Sequence, residues 1–240
     1  MKILLFTLSL TLSLSACAVV PLSAESIDSQ VVDADTGSPI EGANVVAYWQ
    51  IDTGSLTGDS LPCGAAGVEE AVTDKDGKFH LPGWGPTLPG CGGTMSNGEP
   101  MIYVFKPGYH YGRYSNGLGS TAITFRTYDY WEHRQMKLQA FANLNLRDQS
   151  PNGVFQDFDG LEVDFSLFIE NMPRQCNWKK IPKMLRAIAL QEQAFNDVGI
   201  KYVGMIGLMK INDQSYLEQA PSCGSPKAFI EGLTNENTPQ

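Results

Sequence analysis

The side chains best suited to chemistry in this 240-residue chain are five cysteines and three histidines. The cysteines are Cys17, Cys63, Cys91, Cys176 and Cys223, and the histidines are His80, His110 and His133. Cysteines and histidines that hold zinc recur at short spacings, as in C-x₂₋₄-C and H-x₃₋₅-H. The sequence has neither spacing and no H-E-x-x-H pattern. We therefore expect thiol chemistry from the cysteines and no metal site or cofactor.

The first cysteine ends a segment with the form of a secretory signal. Lys2 is followed by the mostly apolar residues 3–14, and the segment closes with Leu14-Ser15-Ala16-Cys17. This tetrad resembles the lipobox of bacterial lipoproteins, in which the cysteine thiol receives a diacylglycerol and the chain is cut before the cysteine. The new amine is then usually acylated. The resemblance implies a signal peptide at residues 1–16 and a lipid anchor on Cys17.

Two other interpretations of this segment fit less well. About 12 apolar residues are too few for a transmembrane helix, which needs about 20. Ordinary cleavage prefers small residues at the last and third-last positions, and a cut after Ala24 would put Leu22 third from last. Ala18 rather than Asp follows the cysteine, which resembles lipoproteins sorted to the outer membrane. We therefore expect an outer-membrane lipoprotein that faces the periplasm, with residues 17–26 as its tether.

The four remaining cysteines suit an oxidising compartment, where they would form two disulfides with three possible connectivities. Pairing within each half of the chain, Cys63 with Cys91 and Cys176 with Cys223, closes the shortest loops. In the chain-entropy model each such bond stabilises the fold by about 3–4 kcal/mol.

The net charge limits the possible functions of the chain, and its length limits the number of domains. The net charge is −9 and becomes −10 once Lys2 leaves with the signal. An acidic chain without a basic run argues against nucleic-acid binding. The mature length is enough for one large domain or two small ones.

Residues 27–141 contain about seven short segments with strand character, separated by Gly- and Pro-rich turns. Residues 43–49 alternate as in a half-buried strand, and residues 68–73 and 78–82 flank the turn 74–77 as in a hairpin. The turn Asp74-Lys75-Asp76-Gly77 begins like a calcium loop, but position 12 would be Gly85 instead of Glu. We therefore interpret it as a turn.

Residues 30–48 and 71–83 carry the pieces D-x-x-T-G-x-P-I-x-G-A-x-V and T-D-x-x-G-x-F-x-L-P. These resemble the carboxypeptidase regulatory-like domain, and Lys106-Pro107-Gly108-Tyr109 resembles a later turn of that family. The resemblance implies a transthyretin-like antiparallel β-sandwich over residues 27–141, with two Gly-rich insertions at 51–67 and 84–99. In metallocarboxypeptidases this module stands beside a separate catalytic domain, which is absent from this sequence. The resemblance therefore implies no peptidase activity.

The remaining residues, 142–240, have a different composition and are predicted to be mainly helical. Apolar residues at helical spacing predict helices over 161–172 and 178–198, and a shorter one over 215–220. Pro182 is tolerated in a first turn, so the second helix should begin near residues 179–181. The fold class is therefore α+β, with a helical region closed by its own disulfide.

Two aromatic clusters are the candidate binding surface. They contain Tyr109, Tyr111, Tyr114, Tyr130 and Trp131. Exposed aromatic side chains bind glycans or partner proteins, although alternate residues of such a run can also pack into the core.

The sequence favours a non-catalytic, lipid-anchored envelope protein with a binding or structural accessory function, whose partners are the membrane and an envelope protein or glycan. No catalytic residues are predicted. The alternative is an envelope enzyme whose active site lies in the C-terminal half.

Overall fold

The computed structural model describes residues 21–54, 60–89, 91–95, 99–115, 135–138, 176–197 and 204–235. These residues contain ten strands in the N-terminal part and four α-helices in the C-terminal part, so the α+β class is confirmed. The strands are β1 (Leu22–Ala24), β2 (Ile27–Asp33), β3 (Asn44–Gly54), β4 (Ser60–Val72), β5 (Lys78–Leu81), β6 (Trp84–Thr87), β7 (Thr94–Met95), β8 (Met101–Phe105), β9 (Gly112–Ser115) and β10 (Gln135–Leu138). The helices are α1 (Pro182–Asp197), α2 (Met205–Ile211), α3 (Asp213–Gln219) and α4 (Pro226–Asn235). Cys17, Tyr130, Trp131, His133 and the predicted helix at 161–172 lie outside the described residues.

The largest sheet has the strand order β4-β3-β8-β9, with β7 paired to the far end of β3. All of its pairs are antiparallel. Along β3, Val45, Ala47 and Trp49 belong to one core, whereas Val46 and Tyr48 belong to another. The prediction of a half-buried strand was therefore wrong: this part of β3 is buried on both faces, because the helices cover the second face.

The second sheet has the order β10-β2-β5. Its strand β2 pairs antiparallel with β5 but parallel with β10, so the sheet is mixed, unlike the fully antiparallel arrangement that the resemblance implied. The two sheets share a core made largely of aliphatic and aromatic side chains. Its buried members are Ile27, Val31, Ile40, Ala43, Val45, Ala47, Trp49, Phe79, Leu81, Ile102, Val104 and Met136.

The residues of the sequence motif hold the turn after β2. Asp33 Oδ1 accepts hydrogen bonds from the backbone N–H of Asp35 at 3.0 Å and of Thr36 at 2.8 Å, and Gly37 has φ 71°. The hydrogen bond from Thr36 lowers the pKa of Asp33. A second motif residue, Thr73, accepts from Ala43 N–H at 2.8 Å through a buried hydroxyl. The local bonds of Asp33 explain why the motif predicts the turn, and the Thr73 bond joins the two motif segments to each other.

The predicted hairpin across residues 74–77 was wrong. Asp74 Oδ1 accepts from the N–H of Asp76 and Lys78, each at 2.9 Å, and Gly77 has φ 70°. The turn is therefore present, but it leads from β4 in the first sheet to β5 in the second. A Cβ at position 77 would lie 2.4 Å from the carbonyl oxygen of Val31, so the crossing requires glycine.

The four helices form a layer on the second face of the β3 sheet. A 3₁₀ turn at Asn177–Lys180 precedes α1, which begins at Pro182 close to the predicted start. The shared core joins strand residues to helix residues. It includes Val46, Tyr48, Val68, Tyr103 and Phe105 from the sheet and Trp178, Ile181, Met184, Leu185, Ile188, Phe195, Met205, Ile206, Met209 and Ile230 from the helical layer. No helix in the described ranges is long and apolar enough to cross a membrane.

The two predicted cysteine pairs lie at disulfide distance. Cys63 on β4 and Cys91 after β6 have their Sγ atoms 1.92 Å apart, and Cys176 and Cys223 have theirs 1.90 Å apart. The first pair joins segments that were expected to be Gly-rich loops. Instead, β3 and β4 continue as one long hairpin with two register shifts, and β7 pairs with the end of β3.

Candidate functional site

The described part of the predicted aromatic surface, Tyr109, Tyr111 and Tyr114, lies on and just before β9, the outermost of the described strands of the β3 sheet. Gly108 has φ 89° in the turn that leads from β8 to the aromatic segment, and Tyr109 N–H donates to Lys106 O at 3.0 Å. Gly112 allows the Tyr114 ring to lie across β9, because a Cβ on Gly112 would be 2.5 Å from Tyr114 Cε2. The ring positions therefore depend on two glycines.

The structure divides the three described tyrosines between two cores. Tyr109 and Tyr114 pack against the core between the sheets, whereas Tyr111 packs against the core under the helices. All three are half-buried. Each core therefore buries part of the described tyrosine rings, and the exposed parts of the rings lie beside β9. A joint surface with Tyr130 and Trp131 stays a prediction.

The aromatic segment is tied to the helical layer by a hydrogen bond. Gly108 N–H donates to the buried side chain of Gln191 on α1, with Oε1 at 3.0 Å. This bond joins two segments 83 residues apart in sequence. It fixes the position of the turn from which the tyrosines start.

The carboxylate most closely bound to the helical layer is Glu70 on β4. Its Oε1 accepts from Met184 N–H at 2.7 Å and its Oε2 from Lys183 N–H at 3.2 Å, so it caps the first turn of α1. Burial raises the pKa of Glu70, and the two backbone hydrogen bonds act in the opposite direction. Burial also raises the pKa of the adjacent Glu69, against the attraction of Lys180.

Two further carboxylates cap helices in the same manner. The buried Glu192 of α1 accepts from Ile206 N–H in the first turn of α2, at 2.8 Å. Asp213 accepts from Ser225 Oγ at 2.7 Å and from Lys227 N–H at 2.8 Å, at the start of α4. Unpaired N–H groups at a helix start favour a nearby negative charge. These three acidic groups therefore connect helices to their neighbours.

Two other residues that could take part in chemistry, His80 and Asp74, are bonded to other groups of the protein. His80 is exposed and its Nδ1 lies 2.8 Å from Asp28 Oδ1. In the turn that resembles a calcium loop, Asp74 is engaged by backbone N–H groups. Within the described ranges, no group of three or more His, Cys, Asp or Glu residues could hold a metal ion.

The structure also shows a surface that we did not predict, which we call the uncharged end. It consists of β1, β6, residues 88–89 and residues 91–95. Residues 82–95 contain no charged residue and no histidine, a signal that was visible in the sequence. Leu22 of β1 lies beside Thr87 of β6, next to Leu88, whose side chain is 64% exposed.

Comparison of the chain with protein-family models, with curated proteins and with solved structures found no match.

Proposed function

We propose that this protein is a non-catalytic lipoprotein of the cell envelope, anchored by a lipid on Cys17 and acting as a binding or structural accessory. We propose the outer membrane, on its periplasmic face, as its location. An envelope protein or glycan would bind at the aromatic edge around β9. The two sheets that share a core would be the transthyretin-like sandwich of a carboxypeptidase regulatory-like domain.

The observation that carries the non-catalytic proposal is the use of the acidic side chains. Glu70, Glu192 and Asp213 cap three helices, and Asp33 and Asp74 hold two turns through backbone N–H groups. An active site that uses carboxylates holds them towards a substrate, with pKa values set for proton transfer. Here the best-placed acids face backbone donors of the protein itself, which supports a role in holding the fold.

The proposed sandwich is supported by the positions of the motif residues. Asp33, Gly37, Thr73, Asp74 and Gly77 all lie in the two turns that lead from one sheet to the other, and each has a geometric role there. The structure thus gives a physical reason for the pattern on which the family resemblance rests.

The lipid anchor can be tested by fractionation of cells that produce the full chain. A single myristoyl chain holds a protein only marginally, whereas two lipid signals anchor it stably. The mature protein should therefore stay in the membrane fraction through a salt wash. Cys17→Ser should release it or leave it unprocessed. A wild-type protein that washes off as a soluble mature chain would contradict the anchor.

A matched variant tests the proposed membrane. Ala18→Asp keeps Cys17 and therefore the anchor, but it introduces the residue that the lipoprotein resemblance associates with retention in the inner membrane. We expect wild type in outer-membrane fractions and Ala18→Asp in inner-membrane fractions. If both variants remain in the inner membrane, the outer-membrane location is wrong.

A further inference from the structure

We propose that the uncharged end lies against the bilayer that carries the lipid, with Leu88 in contact with the membrane interface. This inference rests on the lipid anchor proposed above, and it adds the orientation of the folded part. Four observations carry it: the place where the described residues begin, the chemistry of that surface, the charge of the opposite end, and the way in which the surface is held.

The described residues begin at the uncharged end. Going towards the N-terminus, β1 ends at Leu22, which is paired with Thr87. Cys17 lies five residues before Leu22. A fully extended chain spans at most about 3.6 Å per residue, so the lipidated cysteine lies within about 18 Å of Leu22. The bilayer surface must therefore be close to this end.

The surface chemistry suits a membrane interface. Leu88 and Pro86 are exposed, and no charged side chain occurs over residues 82–95. Residues 60–68, which include Cys63, are also free of charge. Two carboxylates border this surface, on the exposed Glu25 after β1 and on Asp52 opposite Thr94. Anionic headgroups repel carboxylates, so the uncharged stretch between them is the part of this end that can approach the headgroups.

The opposite end of the β2 sheet is charged. Strand β2 runs from Ile27, near β1, to Asp33, and at about 3.3 Å per residue its seven residues span about 20 Å. The turns at the far end carry exposed side chains of both signs, namely Asp35, Asp74, Lys75, Asp76 and Lys78. The charge is therefore unevenly distributed, with the uncharged end beside the anchor and the charged turns away from it.

The uncharged end is held firmly to the rest of the fold. Gly85 lies so close to β1 that a Cβ there would be 2.5 Å from Ser23 Cβ. Gly93 approaches β3 so closely that a Cβ there would be 2.4 Å from Asp52 O. These contacts and the Cys63–Cys91 bond attach the uncharged end to the central sheet, so the two should have one orientation relative to the bilayer.

A photoreactive amino acid tests this orientation in the full-length, membrane-anchored protein. Benzoylphenylalanine is placed at Leu88 or, as a matched control, at Ile211 on α2. Ile211 is 70% exposed, a similar fraction, but it belongs to the layer on the other face of the β3 sheet. A probe at the exposed Pro86 repeats the measurement, and thermal melting checks that each variant is folded. After irradiation, mass spectrometry detects phospholipid adducts.

We expect phospholipid adducts at positions 88 and 86, their absence at 211, and their loss from positions 88 and 86 in the Cys17→Ser background. An anchored protein without adducts at 88 and 86, or with equal adducts at 211, overturns the orientation but leaves the anchor intact. A chain that carries no lipid on Cys17 overturns both proposals. The lipid on Cys17 is read from the mass of the N-terminal peptide, so the two failures are distinguished.

Discussion

The two faces of the central sheet are covered in different ways. On the inner face, the second sheet packs through a core dominated by apolar side chains. A short connection that begins with the turn at residues 34–38 leads out of β2, and the turn at 73–77 leads into β5. On the outer face, the helices share an apolar core with β3 but are also held by polar groups of distant elements. Glu70 reaches α1 from β4, and Gln191 reaches back to the turn at Gly108.

The difference shows what each connection requires. Two sheets joined by tight turns are already brought together by the chain, so apolar packing suffices to fix them. The helical layer comes from a different part of the sequence. The Glu70 cap adds a polar bond to the apolar core that joins the layer to the sheet, and the Cys176–Cys223 pair joins two segments within the layer. We expect the packing of the second sheet on the inner face to depend mainly on side-chain volume. The packing of the helices on the outer face should depend also on the charge of the capping side chains.

The largest expected effects come from removing a large side chain on either face. Trp49→Ala in the inner core and Phe195→Ala under the helices should each cost about 3–5 kcal/mol of unfolding free energy. Because β3 contributes to both cores, we expect both variants to unfold in one transition. Denaturant titration followed by far-UV and near-UV circular dichroism measures this.

The same titration can show whether the two faces belong to one folding unit. If Phe195→Ala loses helical signal at a denaturant concentration where the near-UV signal of Trp49 and its neighbours persists, the helical layer is a separate folding unit.

The cysteine pairs should give the next largest effects. Replacing both Cys176 and Cys223 by Ser should cost about 4 kcal/mol, and replacing Cys63 and Cys91 about 3.5 kcal/mol, because the loops span 47 and 28 residues. Intact mass with and without reductant should show four protected thiols in the mature protein, linked as in the structure. Four alkylatable thiols in the native exported protein would instead favour zinc binding.

Charge on the outer face can be tested at Glu70. Glu70→Ala leaves the N–H groups of Met184 and Lys183 without their acceptor and should cost about 0.5–2 kcal/mol. Glu69→Ala is the matched neighbour on the same strand and should cost less. Equal losses in the two variants would mean that the cap contributes nothing specific.

The pH dependence of the same residue gives a second test. The pKa of Glu70 is raised above its ordinary 4.5, because burial disfavours the ionised form. The wild-type protein should therefore lose stability as the pH rises through that raised pKa and regain it as the pH falls towards 4.5. Glu70→Gln cannot ionise at this position. The free energy of unfolding of the variant, relative to wild type, should therefore increase as the pH rises from 4.5 through the raised pKa of Glu70. A constant difference in melting temperature across the interval would contradict this assignment.

At the aromatic edge, the two rings should give effects of intermediate size, and the residue between them the smallest of all. Tyr114→Ala and Tyr111→Ala each remove a half-buried ring, from the inner and outer core respectively, and should cost about 1–3 kcal/mol. Arg113→Ala, at the exposed position between them, should stay within about 0.5 kcal/mol. Thermal melting of the three variants measures this order. If Tyr111→Ala behaves like Arg113→Ala, that ring is free to serve as a binding surface.

Local signals made part of the fold predictable. The turn at Asp33 is closed by bonds within three residues, and α1 follows from its own apolar stripe and from Pro182. Strand partners are a different matter, since β5 lies beside β2 and not beside β4. That choice depends on contacts between residues about 50 positions apart, which a local pattern does not record.

The site was less predictable than the fold. The aromatic residues were visible, but their division between two cores depends on helices that cover the sheet. The sequence did indicate that the helices cover the sheet, because residues 43–49 are apolar except for Asn44, as is typical of a strand buried on both faces. The uncharged end was visible as a run without charge, but only β1 shows that it lies beside the start of the folded part.

The pairing of β1 also bears on the order of events during biosynthesis. Ala24 is paired with Trp84, which follows it by 60 residues in the chain. Until β6 is present, β1 lacks its partner strand, so in the proposed lipoprotein the chain beyond Cys17 would be longer while the cysteine is acylated. Once β6 arrives, β1 is taken into the fold and only the four residues 18–21 separate Cys17 from it. In the proposed lipoprotein, completion of the uncharged end would therefore draw the folded part down to the bilayer.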